Sequence, residues 1–152
     1  ECPTSKAKTR FLLLRIFMGK RSWYESFGYK PFLSSKRVQG RYPGYDENKY
    51  ERDIVYLRNI KLRDIINDFQ YQDLTNLEKI RASRAYNIFQ EYDLNLTLGQ
   101  IMSDIWTSDC KKYMVLDKAL RSLAFSKLSS FDNWTIIYKR IIFVGIDYIL
   151  YL

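Results

Sequence analysis

Apolar residues recur every three to four positions along most of the chain, which is the period of amphipathic α-helices. A first stripe of this kind comprises Ala7, Phe11, Leu14 and Met18. The later stripes predict these inward positions: Tyr50, Ile54, Leu57, Leu62, Ile65, Ile66, Phe69, Leu77, Ile80, Ala85, Ile88, Phe89, Tyr92, Leu98, Ile101, Met102, Ile105, Trp106, Tyr113, Leu116, Leu120 and Leu123.

Two capping boxes indicate where helices begin within this pattern. Thr75 is followed three residues later by Glu78, and Thr97 is followed in the same way by Gln100. In a capping box the first side chain accepts from a free backbone N–H, while the later one reaches back to the cap. Single caps for the helices that follow are predicted at Ser108 or Asp109 and at Asp132.

The helical pattern lapses from Leu33 to Asn48, where Gly40 and the Tyr42-Pro43-Gly44-Tyr45 segment supply turn residues, so a long loop is predicted there. The segment from Trp134 to Leu152 is apolar on nearly all sides. We interpret it as a central helix. A strand is the competing interpretation, because Ile, Tyr, Phe and Val dominate the segment.

Together these patterns predict an all-α, single-domain bundle of about six helices. Residues 1–44 form a basic N-terminal segment with a helix, an aromatic turn and a loop. Residues 45–152 form the helical core, in one domain with the first segment. Lys139, Arg140 and Asp147 lie inside the apolar terminal stretch and would be costly in a bilayer, so no membrane association is expected.

Composition excludes several kinds of chemistry. The 152 residues include no His and two Cys, Cys2 and Cys110, so imidazole catalysis, His-ligated zinc and a four-thiolate metal site are excluded. Asp64 and Asp68 have helical spacing but sit beside basic residues, and a solvated helix surface explains them. Cys110 is predicted to be a structural, half-buried thiol. The alternative is a disulfide with Cys2, which would require an oxidising compartment. We expect no metal and no small-molecule cofactor.

The excess positive charge belongs to the first third of the chain. The net charge is +8, and residues 1–44 carry ten basic and two acidic side chains, whereas the basic and acidic side chains of the remainder are equal in number. Such a segment attracts phosphates or an acidic protein surface. The candidate polyanion-binding residues are Lys6, Lys8, Arg10, Arg15, Lys20, Arg21, Trp23, Lys36, Arg37 and Arg41. Tyr42 and Tyr45 are candidates for stacking on exposed bases.

The segment Ser22-Trp23-Tyr24-Glu25-Ser26-Phe27-Gly28 is the most distinctive in the chain. With Thr97-Leu98-Gly99-Gln100, Trp106, Asp109-Cys110 and Tyr113, it resembles uncharacterised proteins of large nucleocytoplasmic DNA viruses. The resemblance spans roughly residues 10–140 and implies a viral source, and therefore an intracellular location in the host cytoplasm or virion. It implies no activity. A purely structural interpretation is that the aromatic residues of this segment anchor the basic helix, with Gly28 turning the chain.

The same segment also resembles the Tyr-x-x-x-Gly-Phe/Tyr signature of the GNAT acyltransferases. That resemblance implies acetyl-CoA as a substrate and Tyr24 as a general acid, in a fragment of the family's fold. We therefore expect a non-catalytic interaction module that contacts nucleic acid or an acidic partner. The alternative is a GNAT-like acyltransferase fragment.

Overall fold

Helices make up nearly all of the regular structure in residues 27–126, 133–145 and 148–150, which are the residues that the computed structural model describes. The seven α-helices of this part are α1 (Lys36–Arg41), α2 (Glu47–Asn59), α3 (Leu62–Ile65), α4 (Asn76–Phe89), α5 (Leu98–Ser108), α6 (Cys110–Ala124) and α7 (Asn133–Val144). A 3₁₀ helix at Ile66–Gln70 follows α3. The predicted all-α bundle is confirmed.

A small antiparallel ribbon is the one exception to helical structure in these ranges. Strand β1 (Tyr29–Pro31) pairs with β2 (Tyr148–Leu150), with Tyr29 opposite Leu150. Gly28 precedes β1 with a φ of 89°, a left-handed conformation that glycine adopts without strain. The predicted turn at Gly28 is therefore confirmed, although Phe27 beside it is exposed rather than a buried anchor.

The predicted helix caps form as expected. The Thr75 side chain accepts from the Glu78 N–H at 3.3 Å, and Glu78 Oε1 accepts from the Thr75 N–H at 2.9 Å. Thr97 and Gln100 repeat this reciprocal pair at the start of α5. Of the two candidates before α6, Asp109 is the cap, with Oδ1 accepting from the Lys111 and Lys112 amides.

The core is built on two helix pairs, α4 against α6 and α2 against α7. Most predicted inward positions are buried, among them Leu57, Phe89 and Leu120. Leu77 and Ile80 were predicted to face inward and are exposed instead. The physical reason is that α4 buries the face of Ala82, Ala85, Ile88 and Phe89, which turns the flank bearing Leu77 and Ile80 away from the core.

The predicted long loop from Leu33 to Asn48 is wrong in part, because it contains α1 and the first residues of α2. Ser35 caps α1 by accepting from the Val38 N–H at 3.1 Å, and Val38 is the buried residue of that helix. A six-residue helix with one buried position is too short to show a hydrophobic period, so the pattern could not reveal it.

The terminal segment combines the two interpretations that the sequence left open. Helix α7 ends at Val144, and strand β2 follows at Tyr148–Leu150. No helix in the described ranges is both long and apolar enough to cross a membrane. The predicted helix at residues 7–18 and the predicted cap at Asp132 lie outside the described residues.

Candidate polyanion-binding site

Helix α1 carries the three candidate basic residues that fall in the described ranges, Lys36, Arg37 and Arg41. Because Val38 points into the core, Lys36 and Arg41 lie on the exposed side of the helix, and Arg37 is half-buried. The side chains of Lys36 and Arg41 form no hydrogen bond or ion pair with any described residue. Their charges therefore face solvent without a neighbouring carboxylate in that part of the chain.

Gln39 holds α1 and the turn after it in a defined position. Its side-chain amide donates to the Leu33 carbonyl and to the Tyr45 carbonyl, each at 2.8 Å, and its oxygen accepts from the Gly44 N–H at 3.0 Å. Gly44 has a φ of 79°, which allows the tight turn into α2. One side chain thus satisfies three backbone groups that would otherwise be unpaired.

Two arginines of α1 pack against one phenylalanine of α7. The Arg37 guanidinium lies 4.2 Å from the Phe143 ring centroid, and the Arg41 guanidinium lies 5.4 Å from it. Arg37 also donates from Nη2 to the Phe143 carbonyl at 2.8 Å. These distances are within the range of cation–π attraction. Phe143 therefore orders two cationic groups on the same surface.

A hydrogen-bonded network lies beneath this surface. Asp53 Oδ2 accepts from the Tyr45 hydroxyl at 2.7 Å and from Arg140 Nε at 2.8 Å, and Arg140 Nη2 donates to Oδ1 at 3.3 Å. Burial raises the pKa of Tyr45, and its hydrogen bond to Asp53 raises it further. Tyr45 is therefore a neutral hydroxyl that donates to the Asp53 carboxylate.

The network leaves the surface positive. Asp53 is paired with Arg140, so it does not neutralise Lys36, Arg37 or Arg41. The Arg140 guanidinium also lies 5.5 Å from the Tyr45 ring centroid. Among the described residues, the cluster thus contains four cations, Lys36, Arg37, Arg41 and Arg140, and one carboxylate, Asp53. An arrangement of this kind can bind phosphate or carboxylate groups by charge-assisted hydrogen bonds.

An acidic groove of about 470 Å³ limits the positive surface on one side. Asp46, Glu47 and Glu51 line it, and Lys30 pairs with Glu47 at 3.6 Å. These carboxylates would repel a polyanion. On this side of the molecule, the groove therefore limits the positive surface to α1 and the part of α7 beneath it.

The structure brings together a minority of the predicted binding residues. Lys36, Arg37 and Arg41 share α1, whereas the remaining candidates lie outside the described residues: Lys6, Lys8, Arg10, Arg15, Lys20, Arg21 and Trp23. The predicted base-stacking role of Tyr45 is wrong, because the ring is buried and its hydroxyl is bonded to Asp53. Tyr42 packs edge-on against Phe143 at 5.5 Å.

Sequence reasoning missed Arg140 and Phe143 as parts of this site. Their spacing of three residues places them on adjacent positions of one helix face, and that signal was available. Phe143, however, contacts α1 from a position 106 residues beyond Arg37, and Arg140 contacts Asp53 from 87 residues further along the chain. No local pattern records such a contact.

Asp64 and Asp68, the two carboxylates at helical spacing, do not both lie on a solvated helix surface. Asp68 Oδ2 accepts from Trp134 Nε1 at 2.7 Å, which ties the 3₁₀ helix to α7, so the surface interpretation of Asp68 is wrong. Asp64 remains exposed and accepts from the Lys61 N–H at 3.3 Å. Within the ranges that the structure describes, no group of three or more Cys, Asp or Glu residues could hold a metal ion.

No protein-family model, curated protein or solved structure matches this chain.

Proposed function

We propose that this chain is a non-catalytic interaction module that binds a polyanion through its basic N-terminal third. Nucleic acid is the polyanion we favour, and an acidic protein surface is the alternative partner. The viral source implied by the aromatic segment at residues 22–28 is part of the same proposal.

One observation carries the proposal. Lys36 and Arg41 are exposed without an ion-pair partner among the described residues, and the carboxylate of the underlying network, Asp53, is already paired with Arg140. Phosphate binding is favoured when cations are pre-ordered and their charge is not cancelled locally. Packing against Phe143 orders Arg37 and Arg41 in advance. Because Asp53 is paired with Arg140, its carboxylate does not cancel the charge of Lys36 or Arg41.

The acyltransferase alternative depends on residues other than those of the α1 surface. The GNAT resemblance implies a sheet before Tyr24, and the described residues, which all follow Tyr24, form helices and a ribbon of two three-residue strands. Tyr24 lies outside the described residues, so its role as a general acid stays a prediction. Calorimetry with acetyl-CoA tests it directly, and binding of acetyl-CoA would favour the alternative.

The test is a filter-binding titration of the full chain with single-stranded and double-stranded nucleic acid over a range of salt concentrations. The double variant Lys36→Ala with Arg41→Ala should bind more weakly, and the slope of log affinity against log salt should fall by about one for each lost phosphate contact. Arg84→Ala with Lys111→Ala is the matched control, because it removes one exposed Arg and one exposed Lys from α4 and α6.

Three results would count against the proposal. No uptake of either nucleic acid at low salt would overturn the nucleic-acid partner. An equal loss in the matched control would show that net charge, not the α1 surface, governs binding. Tighter binding of poly-glutamate than of nucleic acid would mean that the partner of this site is an acidic protein and not nucleic acid.

A further inference from the structure

Two exposed apolar side chains face each other across a groove between α4 and α6. Leu77 on α4 is 56% exposed and Phe125, directly after α6, is 57% exposed. The groove has a volume of about 400 Å³ and is also lined by Glu78, Arg81 and Lys118. Arg121 and Ser122 complete its wall.

The two helices run antiparallel, and this direction gives the groove its shape. The first turns of α4 lie beside the last turns of α6 at the groove, while at the other end of the pair Lys112 and Glu91 form an ion pair at 3.3 Å. Two packed antiparallel helices leave a furrow between them. A third helix can pack its side chains into such a furrow.

Exposed apolar residues extend beyond the groove itself. Ile80 is exposed on α4, and the spacing of Leu77, Ile80, Arg81 and Arg84 places all four on one flank of that helix. This flank is the one that the hydrophobic pattern assigned to the core. Large apolar residues that the fold leaves exposed together mark an interaction surface more often than isolated ones do.

The charge beside these residues is positive. Arg81 and Lys118 form no ion pair with any carboxylate of the described ranges, and neither does the exposed Arg84. Arg121 pairs with the buried Asp117 at 3.3 Å. Glu78 is the acidic residue among those that line the groove, and its carboxylate accepts from the Thr75 N–H and from the Ser126 hydroxyl. Uncompensated cations therefore flank the apolar groove.

We infer that the groove between α4 and α6 docks an acidic amphipathic helix of a partner protein. Its apolar face would cover Leu77 and Phe125, and its carboxylates would pair with Arg81 and Lys118. This inference does not depend on the polyanion site, because no residue of α1 or α7 lines the groove.

The groove chemistry argues against two other occupants. Leu77 and Ile80 are aliphatic and offer no stacking surface for nucleic-acid bases. A second copy that used the same face would bring two sets of Arg81 and Lys118 into one interface, and this accumulation of like charge opposes association.

The experiment measures binding of a labelled, designed helical peptide by fluorescence anisotropy. The peptide carries leucines at i, i+3 and i+7 on one face and glutamates on the flanks, and a second peptide replaces every glutamate with lysine. We expect the acidic peptide to bind at least about tenfold more tightly than the basic one, because its charge complements Arg81 and Lys118.

Variants of the full chain locate the site. Leu77→Ser and Phe125→Ser should each lower the affinity for the acidic peptide by about tenfold or more, since each removes an apolar contact at the centre of the groove. Arg81→Glu with Lys118→Glu should reverse the preference between the two peptides. Val55→Ser is the matched control: Val55 is 49% exposed on α2, and its loss should leave the affinity unchanged.

Three results would overturn the inference. The first is equal binding of both peptides by the native chain. The second is unchanged binding of the acidic peptide in both serine variants with native thermal melting. The third is self-association in sedimentation velocity that Phe125→Ser abolishes, because the occupant would then be a second copy.

Discussion

Arg140 on α7 forms a bidentate ion pair with Asp53 on α2, from a position 87 residues further along the chain. The Asp53 side chain is 11% exposed and that of Arg140 is 27% exposed, so the pair is largely shielded from water. The same contact fixes α7 against α2. It thereby holds Phe143, three residues beyond Arg140, beneath the arginines of α1.

Breaking this ion pair should destabilise the fold. Arg140→Met leaves the Asp53 carboxylate with the Tyr45 hydroxyl as its remaining side-chain donor among the described residues, and we expect a loss of about 1–3 kcal/mol in the free energy of unfolding. This range is below the loss expected from breaking a fully buried ion pair, because the Arg140 side chain retains some solvent exposure. Urea unfolding measures the loss.

The control for this prediction is the exposed pair between Lys112 and Glu91. Lys112→Met should cost less than about 1 kcal/mol, as is typical of surface pairs. Asp53→Asn combined with Arg140→Met should cost less than the sum of the single variants, because the two residues interact. Additive losses would show that the pair does not contribute as proposed.

The stability that Tyr45 contributes should be lost at alkaline pH. Its folded-state pKa is raised above the ordinary value of about 10 by burial and by Asp53. The stabilisation is therefore complete below pH 10 and declines as pH rises above it, because the unfolded chain releases the Tyr45 proton first. The difference in free energy of unfolding between the native chain and Tyr45→Phe should shrink by up to about 1.4 kcal/mol per pH unit above 10.

Tyr86 provides the matched tyrosine for this measurement. It is half-buried, and no hydrogen bond of its hydroxyl is found among the described residues. Denaturant unfolding of Tyr86→Phe and of Tyr45→Phe, each against the native chain, is measured at pH 8 and at pH 11, and the Tyr45→Phe difference should shrink by more than the Tyr86→Phe difference does. A Tyr45→Phe difference that is the same at both pH values would contradict a raised pKa of Tyr45 in the folded chain.

Phe143 should matter to polyanion binding more than its apolar volume explains. Phe143→Leu keeps an apolar side chain but removes the ring that lies 4.2 Å from the Arg37 guanidinium and 5.4 Å from that of Arg41. We expect affinity for nucleic acid at low salt to fall severalfold, because two cations lose an ordering interaction of about 0.5–1 kcal/mol each.

Phe143→Tyr is the conservative control, because it keeps the aromatic face. It should retain the native affinity. Thermal melting of both variants separates a binding effect from a loss of structure. Native affinity in a folded Phe143→Leu variant would mean that the ring does not order Arg37 and Arg41 for binding.

Local signals in the sequence predicted the parts of the fold that local forces determine. The capping pairs Thr75–Glu78 and Thr97–Gln100 each satisfy backbone groups within one helical turn, so four adjacent residues suffice to predict them. Helix α1 was missed because its stability comes from one buried residue, Val38, and from Gln39 bonding to three backbone groups nearby.

The sequence by itself determined that the chain is helical, where several helices begin, and that its excess positive charge lies in the first third. These properties follow from side-chain periodicity, capping chemistry and charge. Only the tertiary structure decided that Leu77 remains exposed, that Asp53 is paired with Arg140 and that Phe143 lies beside Arg37 and Arg41. The physical reason is that packing between helices distant in the chain selects which part of a helix is buried. An amphipathic pattern predicts a broad apolar face, but it does not determine which edge of that face contacts the core.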